Sequence, residues 1–205
     1  MFHWVFNRIT LKGENAAKIH DKVEEKIDYQ LTEHLFFDKF MNLFIPIDQA
    51  KYKNEKEYIS AMKDIWGVGQ DIILMEIDMK LNNEGTELKM AFTSLDRPIN
   101  KFLEKLAIKY SLEIENIYYE VKYDFCNKFV CDEYGRSKEI EKYKYFEGMY
   151  KLLNKEFWES EMPDIVDNMI RDELLIEPGL EMFPYFNEED KIRYKQMYEE
   201  AVENM

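Results

Sequence analysis

The chain has 205 residues, of which 46% are hydrophobic and 15% aromatic, so it has enough apolar material for a buried core and does not read as disordered. Its 42 acidic and 28 basic residues give a net charge of −14, a field that repels phosphate backbones and anionic lipid, so we expect neither free DNA nor a membrane as a partner. No apolar run reaches the roughly 18 residues of a membrane span, and the N-terminus lacks the basic start and cleavage site of a signal peptide, which predicts a cytoplasmic location.

The first predicted element is a strand from Phe2 to Leu11, whose apolar residues on both faces are typical of a central strand. Gly13 ends it, and apolar residues at three- and four-residue spacing predict a helix from Glu14 to Asp28. The apolar segment from Phe36 to Ile45 has no clean period and fits either a strand or a short helix. A further helix is predicted from Asn54 to Trp66.

The clearest local pattern is a hairpin. Apolar and polar residues alternate from Ile73 to Leu81 and again from Leu88 to Phe92, the period of half-buried strands. The residues from Asn82 to Gly85 form the turn, because Gly85 takes a positive φ without steric cost. These two strands predict an antiparallel sheet.

The next stretch returns to the sheet through a helix. Apolar spacing from Ile99 to Tyr110 predicts this helix directly after Pro98. The following strand begins at Leu112, and its apolar phase shifts by one residue, which predicts a bulge near Asn116. The segment from Phe125 to Cys131 predicts a strand that pairs back onto it.

From Ser137 onward the pattern is that of helices separated by prolines. The order of elements predicts an α+β fold: a ferredoxin-like α/β plait, with an antiparallel sheet and helices on one face, over residues 1–136. An acidic helical extension is predicted over residues 137–205.

The chain contains, in this order, HWVFNRITLKG, FIPID, IWGVGQDI and the run from MAFTSLDRP to YEVKYDF. The order and spacing of these segments resemble those of the YubB-type ferredoxin-like domain family of phages and conjugative plasmids. The likeness covers residues 2–135. Its segment TSLDRP lacks the second Trp usual in that family, and the acidic tail lies beyond the usual domain. The resemblance implies the plait and a mobile-element origin, with no established enzyme chemistry or cofactor. The residues that carry it are Asn7, Gly13, Trp66, Gly67, Asp71, Phe92 and Pro98.

The sequence contains no recognisable catalytic or metal-binding pattern. Three scattered histidines do not match a metal site, and two cysteines cannot supply the four thiolates of an iron–sulfur cluster. Cys126 and Cys131 are either buried free thiols or a redox pair. We therefore expect no cofactor and no metal, and a protein that is not an enzyme.

Two alternatives to a simple binding protein remain open. Trp66 is either a core anchor or, with Gly67, Gly69 and Asp71, the wall of a pocket in a small-molecule enzyme. The sheet face around Trp4, Phe6 and Tyr118 could bind nucleic acid, although the chain lacks the signature of an RNA-recognition motif.

The acidic residues are concentrated at the C-terminal end of the chain. Residues 156–205 hold 15 acidic and 4 basic residues, a net charge of −11 that leaves −3 for the rest. These carboxylates either solubilise the helices or dock into a basic, nucleic-acid-binding groove of a host protein. The second interpretation, with the mobile-element resemblance, predicts an inhibitor of a host defence nuclease, similar to an anti-CRISPR protein. The predicted contact residues are Glu156, Glu159, Glu161, Asp164, Asp167, Asp172, Glu173, Glu188, Glu189, Asp190, Glu199 and Glu200.

Overall fold

The computed structural model describes residues 4–26, 36–68, 78–95, 97–120, 124–153 and 188–203. The chain divides into two compact units, Met1–Lys142 and Tyr143–Met205.

The first unit is built on a six-stranded sheet. Its strands are β1 (Trp4–Lys12), β2 (Asp78–Leu81), β3 (Glu87–Leu95), β4 (Glu113–Glu120), β5 (Phe125–Cys131) and β6 (Ser137–Tyr143). They lie in the order β2-β3-β1-β4-β5-β6, and the pairings of β1 with β3 and β4, of β2 with β3 and of β4 with β5 are antiparallel. The fold is therefore α+β with an antiparallel sheet, and the order β4-β1-β3-β2 is consistent with the predicted ferredoxin-like plait.

Four helices of the first unit are described: α1 (Ala16–Lys26), α2 (Phe36–Phe44), α3 (Glu55–Ile65) and α4 (Asn100–Tyr110). A short 3₁₀ turn, Gln49–Lys51, lies between α2 and α3. The second unit contributes α5 (Tyr145–Leu152) and α6 (Glu188–Glu203). None of the helices among the described residues has the length and apolar character needed to cross a bilayer.

The core lies on the face of the sheet that α1 and α4 cover. Phe40 of α2 joins the layers, because its ring centroid lies 6.1 Å from that of Phe92 on β3 and 5.9 Å from that of Phe102 on α4. All three rings are buried. Burying a ring of this kind stabilises a fold by about 1.5–3 kcal/mol, so this aromatic cluster helps to hold α2 and α4 on the sheet.

The predicted hairpin turn is confirmed for the residues described. Oδ1 of Asn82 accepts hydrogen bonds from the backbone nitrogens of Thr86 (2.9 Å) and Glu87 (3.0 Å), and Gly85 has φ +71°. This side-chain acceptor fixes the turn and the register between β2 and β3. The predicted strand residues Ile73–Ile77 lie outside the described residues.

The predicted bulge near Asn116 is wrong. The register of β4 with β1 runs without interruption from Glu113 to Tyr119. Ile114 and Tyr118 face the helices, whereas Ile117 and Tyr119 face the opposite side, and all four are buried. Because β4 is apolar on both faces, the apolar residues of its two faces resemble, in the sequence, a single apolar face that shifts by one residue.

The predicted start of the helical extension at Ser137 is also wrong. Residues Ser137–Tyr143 form β6, at the end of the sheet order, and the following helix begins at Tyr145. An edge strand with charged residues on both faces has no period-two apolar signal, so the sequence did not reveal it. The segment from Phe36 that fitted either type of element is the helix α2, and residues 154–187 of the predicted extension lie outside the described residues.

Candidate functional site

The first unit contains an open groove of about 480 Å³ at one end of the sheet face opposite α1 and α4. The end of β1, the start of β4, the end of β5 and the start of β6 form its floor and walls. The lining residues are Thr10, Lys12, Glu113, Ile114, Glu115, Val130, Cys131, Asp132, Arg136, Ser137 and Lys138.

The charges in this groove are mostly neutralised within the protein. Nζ of Lys128 lies 2.8 Å from Glu115, and Nε of Arg136 lies 2.7 Å from Asp132. Nζ of Lys12 lies 3.8 Å from Glu87 on β3, whereas Glu113, which stands opposite Lys12 in the register of β4 with β1, is exposed and forms no ion pair within the described residues.

Lys138 lies on the β6 side of the groove. It is exposed and forms no ion pair with any carboxylate in the described part of the chain. The lining as a whole contains three basic and three acidic residues, so its charges balance.

The turn between β5 and β6 is tightly constructed around Asp132. Its Oδ1 accepts hydrogen bonds from the backbone nitrogens of Tyr134 (3.0 Å) and Arg136 (2.9 Å), and its Oδ2 accepts one from Nε of Arg136 (2.7 Å). Although some desolvation acts to raise it, the pKa of Asp132 is lowered because these groups stabilise its charged form. The carboxylate thus stays ionised and holds the turn.

The same turn is seated on α4. Gly135 has φ +78°, a backbone conformation that favours glycine, and a Cβ atom placed there would lie 2.5 Å from Cδ1 of Ile108, so any side chain would also displace the exposed end of Ile108. Oγ of Ser137 donates a 2.5 Å hydrogen bond to Glu104 on α4. These contacts fix the position of the turn relative to the helix.

A second unusual feature is a network of polar side chains inside the core. Nδ2 of Asn116 donates to Oδ1 of Asn7 and to Oδ1 of Asn100, each at 3.1 Å. Nδ2 of Asn7 donates to Oγ of Ser94 (2.8 Å), which in turn donates to the carbonyl of Arg97 (2.6 Å). The network thus connects β1, β3 and β4 to the first residue of α4. Its pairing is incomplete, because Oδ1 of Asn116 is buried without a hydrogen-bond partner among the described residues.

Tyr118 links this region to β6. Its hydroxyl donates a hydrogen bond to Glu139, which also forms a 2.5 Å ion pair with Lys142. Burial, followed by the hydrogen bond to Glu139, raises the pKa of Tyr118. The pKa of Glu139 is lowered, first by Lys142 and then by Tyr118. Tyr118 is therefore a neutral donor to an ionised carboxylate.

Most of the predicted acidic contact residues lie in a part of the chain that the structure does not describe. Glu156, Glu159, Glu161, Asp164, Asp167, Asp172 and Glu173 lie outside the described residues.

The remaining predicted acidic residues, Glu188, Glu189, Asp190, Glu199 and Glu200, lie on α6. Glu188, Glu189 and Glu199 are exposed. Two ion pairs lie within the helix, at 2.6 Å between Lys191 and Glu188 and at 3.8 Å between Lys195 and Glu199. The two acidic ends of α6 are thus separated by a basic middle.

Trp66 lies in the core, where its indole Nε1 donates a 2.9 Å hydrogen bond to the carbonyl of Ile45. Gly67 follows with φ +89°, and a Cβ atom there would lie 3.3 Å from Cβ of Lys101. This packing places Trp66 as an anchor between α3 and the end of α2. Gly69 and Asp71 lie outside the described residues.

The structure contradicts the predicted nucleic-acid face. Phe6 stands opposite Tyr119, whereas Tyr118 stands opposite Asn7, so Phe6 and Tyr118 lie on opposite faces of the sheet. Phe6 stacks on Tyr119 with ring centroids 5.1 Å apart, and Tyr118 is buried. The alternation of side chains along a strand makes a shared face for these two residues impossible.

The two cysteines do not form a redox pair. Cys126 stands opposite Tyr119 and Cys131 opposite Ile114, so they lie on opposite faces of β5, about 16 Å apart at the usual strand rise, far beyond the reach of a disulfide. Burial raises the pKa of Cys126 to about 12 and that of Cys131 to about 11. Both are free thiols.

The groove and the buried network were absent from the sequence predictions. The sequence patterns single out Asn7 only through the family resemblance, and Asn116 only as the position of a predicted bulge. One signal was present, since two asparagines inside apolar strands are unusual. Among the described residues, no group of three or more histidine, cysteine or acidic side chains is arranged to hold a metal ion.

Comparisons with known proteins give one structural likeness. No family model matches the chain, and no curated protein sequence matches it. The solved structure of the protein api92 from Yersinia pseudotuberculosis, of the family DUF1281, is similar with a TM-score of 0.45 and 9% identity, over 71% of this chain and 98% of that chain.

Proposed function

We propose that this protein acts by binding another protein and not by catalysis, and that its acidic C-terminal segment makes the contact. The partner is a host protein with a basic groove, most concretely a defence nuclease whose nucleic-acid site the carboxylates occupy. The protein would then be an anti-CRISPR-like inhibitor that works in the host cytoplasm.

The observation that carries this proposal is the C-terminal end of α6. Glu199, Glu200 and Glu203 lie in its last five residues, and its last turn contains no basic residue. Carboxylates at a helix C-terminus face the negative end of the helix dipole, which costs roughly 0.3–1 kcal/mol each. Side chains that oppose local stability are characteristic of functional surfaces, and a cationic partner would relieve this repulsion.

The charge distribution supports the same proposal. Residues 156–205 carry a net charge of −11. Such a concentration of negative charge accelerates association with a positive surface and repels free nucleic acid. We further infer a ferredoxin-like plait for the first unit and, from the sequence motifs, a YubB-type protein of a phage or plasmid.

The experiment is binding to a purified, guide-free Cas nuclease at low and high salt. We expect tight binding at low salt that weakens strongly as salt screens the charges, and loss of binding when Glu188, Glu189 and Asp190 are replaced by lysine. Affinity that does not change with salt, or that survives the triple replacement, would remove the electrostatic mechanism.

A further inference from the structure

One atom of the buried network has no hydrogen-bond partner. Asn116 is fully buried, and its Nδ2 donates to Oδ1 of Asn7 and to Oδ1 of Asn100. Its own Oδ1 is buried and accepts no hydrogen bond from the described residues. A buried polar atom in this state is destabilising, because its lost hydration is not replaced, and native proteins contain few such atoms. The oxygen therefore points to a bound molecule that donates to it.

The orientation of this amide is fixed by its neighbours. Nδ2 of Asn7 donates a 3.0 Å hydrogen bond to the backbone carbonyl of Val5, which can only accept. Oδ1 of Asn7 must therefore face Asn116, so the Nδ2 side of Asn116 must face that oxygen. Exchanging the oxygen and nitrogen of Asn116 would place two acceptors 3.1 Å apart. The unpaired atom is thus an oxygen, and it requires a donor.

The amide of Asn116 lies against the first turn of α4. Asn100, which accepts from it, is the first residue of that helix. Ile99 occupies the N-cap position, where its apolar side chain forms no capping hydrogen bond. The first backbone N–H groups of a helix have no acceptor within the helix. An unpaired acceptor and an uncapped helix N-terminus therefore lie next to each other inside the protein.

These two features together determine the chemistry of the ligand. The N-terminal end of a helix carries a partial positive charge, which disfavours a cation. The unpaired oxygen disfavours an anion, since an anion has no proton to donate to it. A neutral molecule that both donates and accepts satisfies the oxygen and the helix end, and the full burial of Asn116 requires it to be small. Water fits this description, because internal waters form about three hydrogen bonds to otherwise unpaired polar groups.

We propose that one internal water molecule is bound between Asn116 on β4 and the first turn of α4, as a fixed part of the fold. The water donates to Oδ1 of Asn116 and accepts from a backbone N–H of the first turn. It joins the side-chain network of the three strands to the backbone of the helix. This site belongs to the first unit alone and does not depend on the function proposed above.

The test is a pair of water-selective NOESY and ROESY spectra of the ¹⁵N-labelled full chain. We expect cross-peaks from water to the Nδ2 protons of Asn116 and to the backbone N–H of Asn100 or Lys101, with opposite signs in the two spectra. Opposite signs identify a direct contact with a water that stays bound for longer than the protein takes to tumble. Equal signs, which identify proton exchange with the solvent, or the absence of these cross-peaks would overturn the proposal.

Two leucine variants connect the water to one oxygen atom. Asn116→Leu keeps the approximate size of the side chain but removes the acceptor, so the water cross-peaks of the first turn of α4 should disappear. Asn127→Leu is the matched control, because it removes an amide on β5 whose Nδ2 lies 3.5 Å from the hydroxyl of Tyr118, and it should leave these cross-peaks in place. Cross-peaks that persist in Asn116→Leu would contradict the assignment. The wild-type spectra decide the question if Asn116→Leu does not fold.

The two hydroxyl groups of this region have to be distinguished from a bound water, since their protons exchange with the solvent and can relay its signal. Ser94→Ala and Tyr118→Phe remove these protons. We expect the cross-peaks of Asn116 to survive in both variants, and their loss in either one would assign them to a hydroxyl and refute the water. Replacing sodium by potassium chloride should leave the Nδ2 signal of Asn116 unmoved, whereas a shift would show a cation at this place.

Discussion

Gly135 shows how a single residue fixes the position of the β5–β6 turn. Replacement by alanine forces a side chain into a left-handed backbone and places its Cβ 2.5 Å from Ile108. We expect Gly135→Ala to lower the free energy of unfolding by about 1–3 kcal/mol, measured by urea denaturation, since the left-handed backbone supplies most of the cost and the exposed Ile108 side chain can partly move away.

Gly85 provides the matched control for this strain. It has φ +71°, but a Cβ there would meet Cβ of Ala17 at an ordinary 3.5 Å. Gly85→Ala should therefore lower the free energy of unfolding only by the cost of placing alanine in a left-handed backbone, about 1–2 kcal/mol. Adding Ile108→Ala to Gly135→Ala should recover most of the difference between the two glycine variants. Equal costs for the two variants would show that Ile108 does not crowd Gly135.

Replacing Asn116 should destabilise the protein, because this residue belongs to the buried network. Asn116→Ala leaves the Oδ1 atoms of Asn7 and Asn100 without this donor, and a buried polar atom without a partner costs about 1–3 kcal/mol. The same substitution removes the buried, unpaired Oδ1 of Asn116 itself, which offsets part of that cost. We expect the free energy of unfolding to fall by about 1–2 kcal/mol. Asn83→Ala, in the exposed hairpin turn, should change it by less than about 0.5 kcal/mol.

A double-mutant cycle separates the network from simple loss of packing. If Asn7 and Asn116 act together, the combined replacement by alanine should cost less than the sum of the single replacements, by about 0.5–1 kcal/mol or more. Strict additivity would mean that the two amides do not depend on each other.

At the scale of elements, β6 is held to the sheet partly through Glu139. Its pKa is lowered, by Lys142 first and Tyr118 second. A carboxyl group whose folded-state pKa lies below its ordinary value of 4.5 contributes stability that is complete above that value and is lost as the pH falls through the folded pKa.

Glu139→Gln should consequently destabilise the protein at pH 7, and the difference from the wild type should shrink as the pH is lowered below 4.5. Urea denaturation at a series of pH values measures this. Glu84→Gln, which removes one exposed charge from the hairpin turn, controls for the change in net charge. A destabilisation by Glu139→Gln that stays constant with pH would show that its charge is not the reason.

The elements also show what the sequence could and could not predict. Period-two and three-to-four-residue spacing identified the β2–β3 hairpin and α4, because these elements have one apolar face. The same method failed where that contrast is missing: β4 is apolar on both faces and β6 is charged on both. The groove was beyond prediction because four separate strands contribute to it.

For the whole molecule, the uneven charge is the main feature. Residues 156–205 carry −11 of the total −14. Raising the salt concentration should therefore weaken the proposed contact of the C-terminal segment with a cationic partner, because salt screens these charges.

The central claim is tested most directly with two variants, each of which carries two charge reversals. The quantity measured is the affinity of each variant for a guide-free Cas nuclease. Glu199→Lys with Glu203→Lys acts at the end of α6, where cations favour the helix, so any lost binding cannot come from an unfolded helix. Glu24→Lys with Glu25→Lys makes the same charge change in the last turn of α1. We predict that the α6 pair weakens binding about tenfold or more and the α1 pair by less than about twofold. Equal effects of the two pairs, or no effect of the α6 pair, would contradict the account.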